Sequence, residues 1–222
     1  QYHYGMADLG RQLPVTSQTH YRVASISKAV TAVALLHLYD QGKFMLDADV
    51  NDYLRFSLRN PAFAQQKITF RMLLSHTAGL RDGSAYSNFL SASYQAASPP
   101  KIGQLLVPGG TYYSADMWGQ EVPGSYFQYA NINFGVIATL VEALSGQRFD
   151  RYVAQHVLGP LGISGSFNIA ALDDINQLAV LYRNGEPQTD NFQGQAPDAS
   201  DLSGYTDRKS TRLNSSHYRT SR

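Results

Sequence analysis

The sequence predicts an α+β domain in which short strands and one buried helix precede a largely helical remainder. Residues 1–9 alternate loosely between apolar and polar residues, which is typical of a strand, and residues 20–24 are predicted to form a second short strand. The second of these segments leads directly into residues 29–38, which are apolar on nearly every side and are therefore expected to form a buried helix. Apolar residues recur at helical spacing from residue 133, and no strand-rich segment follows Phe167.

The elements of the first half follow from local signals. Gly10–Pro14 is a predicted turn, and the buried helix is predicted to end at Gly42. Thr69 is a predicted N-cap for a short helix from Phe70 to Ser75, because its hydroxyl can accept a hydrogen bond from the first helical turn. The stretch from there to Gln128 is rich in Gly, Pro, Ser and Tyr and only weakly periodic, which predicts a long irregular region.

Three helices are predicted in the second half. Asn133–Ser145 and Phe149–Leu158 each place their apolar residues on one face and are each followed by glycine. The third helix begins at a cap, Asp173 or Asp174, and ends near Gly185. It is predicted to direct three apolar residues inward: Ile175, Leu178 and Leu181.

Composition excludes several classes of protein. The chain has 222 residues, of which 43% are apolar and 16% charged, as expected of a globular protein with a large core. It has no cysteine, which excludes disulfides and thiolate metal sites, and no paired-histidine or carboxylate motif predicts a metal. No run of apolar residues reaches the length of a membrane span, so we expect none.

The charge of the chain is concentrated at its end. Asp207–Arg222 contains five Lys or Arg and one Asp and therefore has a net charge of +4. Since the whole chain has a formal net charge of +1, residues 1–206 have a net charge of −3. The body therefore offers no basic surface for nucleic acid. The terminal segment has no apolar period and resembles the translation of a common sequencing adapter. We therefore expect residues 207–222 to be a non-native tail and the natural protein to continue differently.

The most informative motif is Ser25-Ile26-Ser27-Lys28, at the start of the buried helix. Ser25 and Lys28 are three residues apart and lie on the same face of a helical turn. The helix dipole and the loss of water both disfavour an ammonium ion there, so the amine can act as the adjacent base that a serine nucleophile needs. A second copy of the pattern, Ser98–Lys101, contains two prolines that forbid an ordinary helical turn.

Four segments of the chain, taken in order, carry a resemblance to a known family. They are Tyr21-Arg-Val-Ala-Ser-Ile-Ser-Lys-Ala-Val-Thr-Ala32, Leu46–Leu54, Met72-Leu-Leu-Ser-His-Thr-Ala-Gly-Leu80 and, preceded by Pro-Gly, Phe127-Gln-Tyr-Ala-Asn131. Together they resemble the serine β-lactamases and penicillin-recognising hydrolases, in their class C branch. The first segment resembles that branch's nucleophile region and the second the connector that follows it. The third resembles its hallmark Leu-Leu-Ser-His-Thr-Ser-Gly-Leu, and the fourth its second catalytic motif, Tyr-Ser/Ala-Asn.

The resemblance implies a β-lactamase/transpeptidase-like fold and a serine hydrolase that acts on amide or ester substrates, either small molecules or peptides. In that reading Ser25 forms an acyl-enzyme, Lys28 serves as base, Tyr129 transfers protons and Asn131 binds the substrate, with no metal or cofactor. How the base role divides between Lys28 and Tyr129 stays open, because coupled groups titrate together. Tyr86-Ser87-Asn88 fits the second motif too, but lacks the Pro-Gly lead-in and a directly following amphipathic helix.

The resemblance also implies a division into subdomains and shows that one motif of the family is missing. Residues 1–42 are assigned to an α/β subdomain, 43–185 to a mainly helical subdomain and 186–206 to a loop. The family's third motif, a Lys/His-Thr/Ser-Gly triplet on a late strand that supplies one oxyanion-hole amide, is absent. We therefore expect the late sheet strands to be missing and the 222-residue chain itself to be a weak catalyst or inactive.

Three further expectations complete the analysis. His76 is expected to have a structural role, because the family's histidine in this motif sits in a structural stretch and a lone histidine beside a short helix usually packs or hydrogen-bonds. Export to the periplasm is implied by the resemblance, although the chain opens with Gln1 and shows no leader; the oligomeric state is left open. The alternative function is a non-catalytic binding or sensor module, against which the set of Ser25, Lys28, Tyr129 and Asn131 argues, because a binder does not need all four.

Overall fold

The computed structural model describes residues 2–95, 100–168, 171–172 and 174–187. The predicted tail, residues 207–222, and most of the predicted loop 186–206 lie outside these residues. The chain begins with an antiparallel hairpin of β1 (Met6–Asp8) and β2 (Leu13–Pro14), whose register is irregular. The prediction of a strand within residues 1–9 is confirmed. The last two residues of the predicted turn Gly10–Pro14 belong to β2 instead.

Helices are the main regular elements in the rest of the described chain. Their bounds are α1 Ser27–Asp40, α2 Phe70–Leu74, α3 Ser84–Gln95, α4 Gly103–Leu106, α5 Ile132–Ser145 and α6 Phe149–Val153. A 3-10 turn at Ala24–Ile26 leads into α1, and a π-helical turn at Ala154–Leu158 extends α6. None of the helices in the described ranges is long and apolar enough to cross a bilayer.

The core lies where α1 and α2 pack against α5. Helix α5 is buried along most of its length, from Ile132 to Glu142. Helix α1 buries Leu35 and Leu38 completely, or nearly so, but Val33 and Leu36 on its outer face are 51% and 38% exposed. The prediction of a buried helix is therefore right for the face toward α5, and the opposite face is open.

Several predicted elements are confirmed. Thr69 caps α2 by accepting a hydrogen bond from the backbone N–H of Met72 at 3.3 Å. The helices predicted at Asn133–Ser145 and Phe149–Leu158 appear at those positions, the second with its π-helical end. The region predicted to be irregular up to Gln128 also contains α3 and α4, which the sequence analysis did not predict.

Two predicted elements are wrong, and they fail in the same place. Within the residues that the structure describes, the predicted strand 20–24 pairs at His20 alone, which bridges Leu178 in parallel, and Ala24 already belongs to the 3-10 turn. The predicted third helix is reduced to a 3-10 turn at Ile175–Gln177. After it the chain runs extended into an antiparallel hairpin of β3 (Tyr182–Arg183) and β4 (Glu186–Pro187). The predicted loop 186–206 therefore begins with a strand.

The extended late segment is held by the N-terminal hairpin. The N–H of Val180 donates to the carbonyl of Ala7 at 2.8 Å, and His20 exchanges backbone hydrogen bonds with the 177–179 segment. The phenol of Tyr182 donates to the carboxylate of Asp8. Since these backbone bonds satisfy groups that a helix would have satisfied internally, tertiary pairing overrides the helical spacing of Leu178 and Leu181.

Candidate active site

The entrance to α1 places a serine and a lysine in contact. Ser25 lies in the 3-10 turn just before α1, rather than within the first turn of the helix as predicted, and Lys28 lies in that first turn. The Nζ of Lys28 donates to the Oγ of Ser25 at 3.3 Å. Ala24 precedes the serine in a left-handed conformation, with φ of +46°, which is costly for a residue that carries a Cβ. The backbone is therefore strained immediately before the hydroxyl.

A second segment brings a phenol and an amide to the same place. The hydroxyl of Tyr129 lies 2.9 Å from the Oγ of Ser25, and the Oδ1 of Asn131 accepts from Lys28 Nζ at 2.8 Å. Tyr129 ends the irregular stretch, and Asn131 stands at the N-terminus of α5. Because α5 packs against α1, its N-terminus is delivered to the start of α1.

The lysine is enclosed by groups that accommodate a positive charge. Lys28 is only 7% exposed, so its amine is largely removed from water. Its Nζ lies 5.0 Å from the ring centroid of Tyr129 and 5.7 Å from that of Phe134, within the range of cation–π attraction. With the acceptors on Ser25 and Asn131, these rings replace part of the lost hydration.

His76 supports the tyrosine from behind. Its ring centroid lies 4.6 Å from that of Tyr129, and its Nδ1 accepts from the backbone N–H of Ala130 at 3.3 Å and the side-chain amide of Asn133 at 3.2 Å. Since Nδ1 is an acceptor, the proton of the neutral ring is on Nε2. Burial, together with the charge of Lys28, lowers the pKa of His76 to about 4.

The segment around His76 also anchors the backbone of the loop that carries Tyr129. The N–H of Gln128 donates to the carbonyl of His76, that of Gly124 to Thr77 and that of Gly119 to Gly79, at distances between 2.7 and 2.8 Å. These bonds tie the loop at three points along its length. The histidine motif therefore positions the phenol, in agreement with the structural role expected for His76.

The structure brings together all four residues named from the sequence: Ser25, Lys28, Tyr129 and Asn131. It also excludes the other stretch that fits the second motif, Tyr86-Ser87-Asn88. Tyr86 lies in α3 with its side chain buried in the core, so Tyr86–Asn88 cannot form the second motif. In the other copy of the serine–lysine pattern, Ser98 and Pro99 lie outside the described residues.

One residue at the site was not identified from the sequence. The carboxylate of Asp82 accepts three N–H groups at the start of α5: the backbone and the side-chain amide of Asn131, at 2.9 and 2.8 Å, and the backbone of Ile132, at 3.0 Å. Asp82 lies two residues after the end of the histidine motif. Capping patterns in a sequence join a residue to the helix that directly follows it, so no such pattern could connect Asp82 with a helix that begins 50 residues later.

Comparison with known proteins agrees with this arrangement. A model of the Beta-lactamase family matches residues 1–216. Over 163 residues the chain is 26% identical to penicillin-binding protein 4* of Bacillus subtilis (strain 168), covering 72% of this chain and 33% of that protein. The chain thus spans about a third of the length of this curated relative.

Solved structures share the fold. A class C β-lactamase superposes with a TM-score of 0.64 at 22% identity, covering 92% of this chain and 51% of that one. A D-stereospecific amidohydrolase from Streptomyces sp. superposes with a TM-score of 0.51 at 28% identity, covering 64% of this chain and 42% of that one. With the family match across nearly the whole sequence, these likenesses show that the chain belongs to the β-lactamase family of serine hydrolases, with a β-lactamase/transpeptidase-like fold.

Proposed function

We propose that this chain carries the acylation machinery of a serine hydrolase, in which Ser25 attacks an amide or ester carbonyl and becomes acylated. One observation carries the proposal. The Oγ of Ser25 is within hydrogen-bond distance of two groups that can take its proton when they are deprotonated, the amine of Lys28 at 3.3 Å and the phenol oxygen of Tyr129 at 2.9 Å. A hydroxyl is a weak nucleophile until such a base removes its proton.

In the acylation step the Ser25 oxygen forms a bond to the carbonyl carbon. Its proton passes to the neutral amine of Lys28 or to the deprotonated phenol of Tyr129, and the carbonyl oxygen takes up the negative charge. Loss of the leaving group then restores the carbonyl as an ester of Ser25. The N–H of Ser25 is the proposed donor to the oxyanion, as the family resemblance implies.

Tyr129 is placed to give a proton to the leaving group. Its side chain is 41% exposed, so its hydroxyl can meet both the serine and an incoming molecule, whereas Lys28 is buried. The phenolate that remains can later accept a proton from the water that hydrolyses the ester. In this division of labour Lys28 sets the charge of the network and Tyr129 moves protons at the surface of the site.

Asn131 is the proposed contact for the acyl side of the substrate. Its Oδ1 faces Lys28 and one N–H of its side-chain amide faces Asp82. An amide nitrogen carries two N–H groups, so the second can donate to a substrate carbonyl. The site thus binds and orients the acyl group next to Ser25.

The proposed substrates are activated acyl compounds: β-lactams, D-amino-acid amides or peptides, and esters. The class C β-lactamase and the D-stereospecific amidohydrolase among the structural neighbours support the first two classes. The exposed side chains beside Tyr129, namely Tyr126 at 51% and Phe127 at 62%, add an aromatic surface next to the site. Export, implied by the resemblance, remains a proposal.

The test is covalent labelling of the 222-residue chain. The protein is incubated with a fluorescent penicillin and, separately, with an activated p-nitrophenyl ester, and its intact mass is measured over time. We expect a one-to-one adduct that forms slowly in the wild type, because the third motif and its oxyanion-hole amide are absent from this sequence, and no adduct in Ser25→Ala. The matched control is Ser27→Ala, which removes the neighbouring buried hydroxyl and should leave the adduct unchanged.

The labelled residue can be located directly. Cleavage after Arg22 and Lys28 releases the peptide Val23–Lys28, in which fragmentation distinguishes Ser25 from Ser27. Labelling of Ser25 would support the proposal even if this chain turns over little substrate, because the adduct requires acylation but not hydrolysis. An unlabelled wild type with every lactam and ester would contradict it and favour the binding or sensor module instead.

A further inference from the structure

Asp82 stands at the junction of the two segments that form the site. It lies between Leu80, which bridges Trp118, and α3, which begins at Ser84. Its backbone is fixed on both sides, because the N–H of Arg81 donates to the carbonyl of Met117 and the N–H of Ser84 donates to the carboxylate of Asp116. The carboxylate of Asp82 therefore projects from an anchored segment.

That carboxylate caps α5 from a distance in sequence. The side chain of Asn131, at the N-cap position, makes no capping hydrogen bond of its own. Asp82 accepts the backbone N–H groups of Asn131 and Ile132 instead, at 2.9 and 3.0 Å. Two of the donors that a helix leaves unsatisfied at its start are thus paired with an anion, which the helix dipole also favours.

The third hydrogen bond orients the amide of Asn131. An amide side chain has a donor end and an acceptor end of nearly the same shape, so its neighbours decide which way it points. The carboxylate of Asp82 can only accept, and it receives Nδ2 at 2.8 Å. The opposite end, Oδ1, is thereby directed at Lys28 Nζ, also at 2.8 Å.

We propose that Asp82 is a positioning residue for the acylation site: it locks the orientation of the Asn131 amide and, through it, the place of the Lys28 amine beside Ser25. This inference rests on the proposed function. Asp82 is solvent-exposed, so its charge is screened and its effect is carried by hydrogen-bond geometry rather than by long-range attraction. Without it the amide is free to rotate and present a donor to the amine.

The chain of contacts makes the effect specific. Asp82 contacts Asn131, Asn131 contacts Lys28, and Lys28 contacts Ser25. A shift of the amine by about 1 Å can cost a reaction about a hundredfold in rate, even when the substituted residue does not touch the substrate. If Asp82 acts through Asn131, removing both should cost no more than removing Asn131 alone.

The experiment combines labelling kinetics with a measurement that needs no activity. The rate of adduct formation with the activated ester is measured for wild type, Asp82→Ala, Asn131→Ala and the double variant. The side-chain amide signal of Asn131 is followed by ¹⁵N NMR and assigned by its loss in Asn131→Ala. The control is Asp49→Ala, which removes another aspartate that accepts a backbone N–H, that of Asn51, and shares no partner with Asp82.

We expect Asp82→Ala to slow labelling about tenfold to a hundredfold, to shift the Asn131 amide signal and to speed its exchange with solvent. Asp49→Ala should leave both unchanged, and Asp82→Ala should have no further effect when Asn131 is alanine. An unchanged amide signal in Asp82→Ala, a labelling rate within about twofold of wild type, or losses that multiply in the double variant would overturn the inference. Failure of the wild type to label at all counts against the proposed function, while the amide signal still decides the role of Asp82.

Discussion

The two halves of the candidate site are built in different ways. Ser25 and Lys28 lie on one continuous piece of backbone, where a 3-10 turn runs into α1, and their contact follows from a spacing of three residues. Tyr129 and Asn131 reach the same point from more than 100 residues away. The first pair is set by local geometry, and the second by contacts with residues that carry no chemistry themselves.

The difference shows which residues fix the positions of the side chains in the site. The local half needs only a helix, whereas the distant half needs the ring and acceptor nitrogen of His76, the loop bonds around it and the carboxylate of Asp82. Substitutions in the local half should therefore abolish chemistry with little effect on folding. Substitutions behind the distant half should alter both stability and the placement of the phenol and amide.

The largest effect is expected for Lys28→Met, which keeps the length of the side chain but removes the amine. Labelling of Ser25 should slow by about 10³-fold or more, because a positioned base contributes about 10²–10⁴-fold. Stability should fall little or even rise, since a buried amine is replaced by an apolar group of similar length. Labelling kinetics and urea unfolding measure the two effects.

The matched control for that substitution is Lys43→Met at an exposed lysine, which should label at the wild-type rate. A Lys28→Met variant that labels as fast as this control would show that the local half does not activate the serine.

Tyr129→Phe probes the distant half with its ring retained. We expect labelling to slow by about 10²-fold, because the proton-transfer group is lost. The free energy of unfolding should stay within about 0.5 kcal/mol of wild type, since the contact of the ring with His76 remains. Tyr126→Phe removes a hydroxyl from a neighbouring exposed tyrosine and should have no effect on labelling; equal rates for the two variants would count against the proposed role of Tyr129.

His76 gives the distant half a dependence on pH. Its folded pKa of about 4 lies below the value near 6.5 expected in the unfolded chain, so between these values the unfolded state binds more protons. Stability should therefore fall as the pH drops from about 6.5 to 4, and this contribution should not change further below pH 4. Unfolding by urea across this range measures it.

The comparison variant is His76→Asn, because asparagine tolerates the φ of +56° at this position and keeps an acceptor oxygen. It lacks the titrating ring, so the stability difference between wild type and variant should be largest above pH 6.5 and shrink toward pH 4. Carboxylates with a lowered pKa, such as Asp47 and Asp116, titrate in both proteins and cancel in the difference. A difference that does not change with pH would contradict the assignment.

The smallest effect is expected for Ala24→Gly, which relieves the left-handed backbone before Ser25. We expect a gain in stability of less than about 1 kcal/mol, because relief of strain is offset by the greater freedom of glycine in the unfolded chain. Ala29→Gly, in the helical backbone of α1, should instead lose about 1 kcal/mol. Thermal unfolding of the two variants should therefore shift in opposite directions, and equal losses would show that the turn carries no strain.

The same contrast explains how much could be predicted from the sequence. Helices whose caps or stops lie within their own segment, such as α2 behind Thr69 and α5 before Gly146, were predicted close to their bounds. Helix α3 was missed because its serine-rich sequence is a weak helix former and its first N–H is capped by Asp116, 32 residues away. Asp82 was missed for the same reason, since its partners at the start of α5 lie 49 and 50 residues along the chain.

The wrong elements also reflect distant pairing. The segment after Asp174 has apolar residues at helical spacing, yet its backbone bonds to Ala7 and His20 at the other end of the described chain. Nothing within a window of 15 residues predicts that partner. For the candidate site, the four chemical groups could be identified because their types and spacing are constrained by chemistry, while the groups that hold them could not.

The most direct test of the account is a double-mutant cycle between the two halves. The rate at which ester labels Ser25 is measured for wild type, Lys28→Met, Tyr129→Phe and the double variant. If the amine and the phenol act as one unit on Ser25, the double variant labels about as slowly as the worse single variant. A double variant whose loss equals the product of the two single losses would contradict the account, because the two halves would then act on the serine independently.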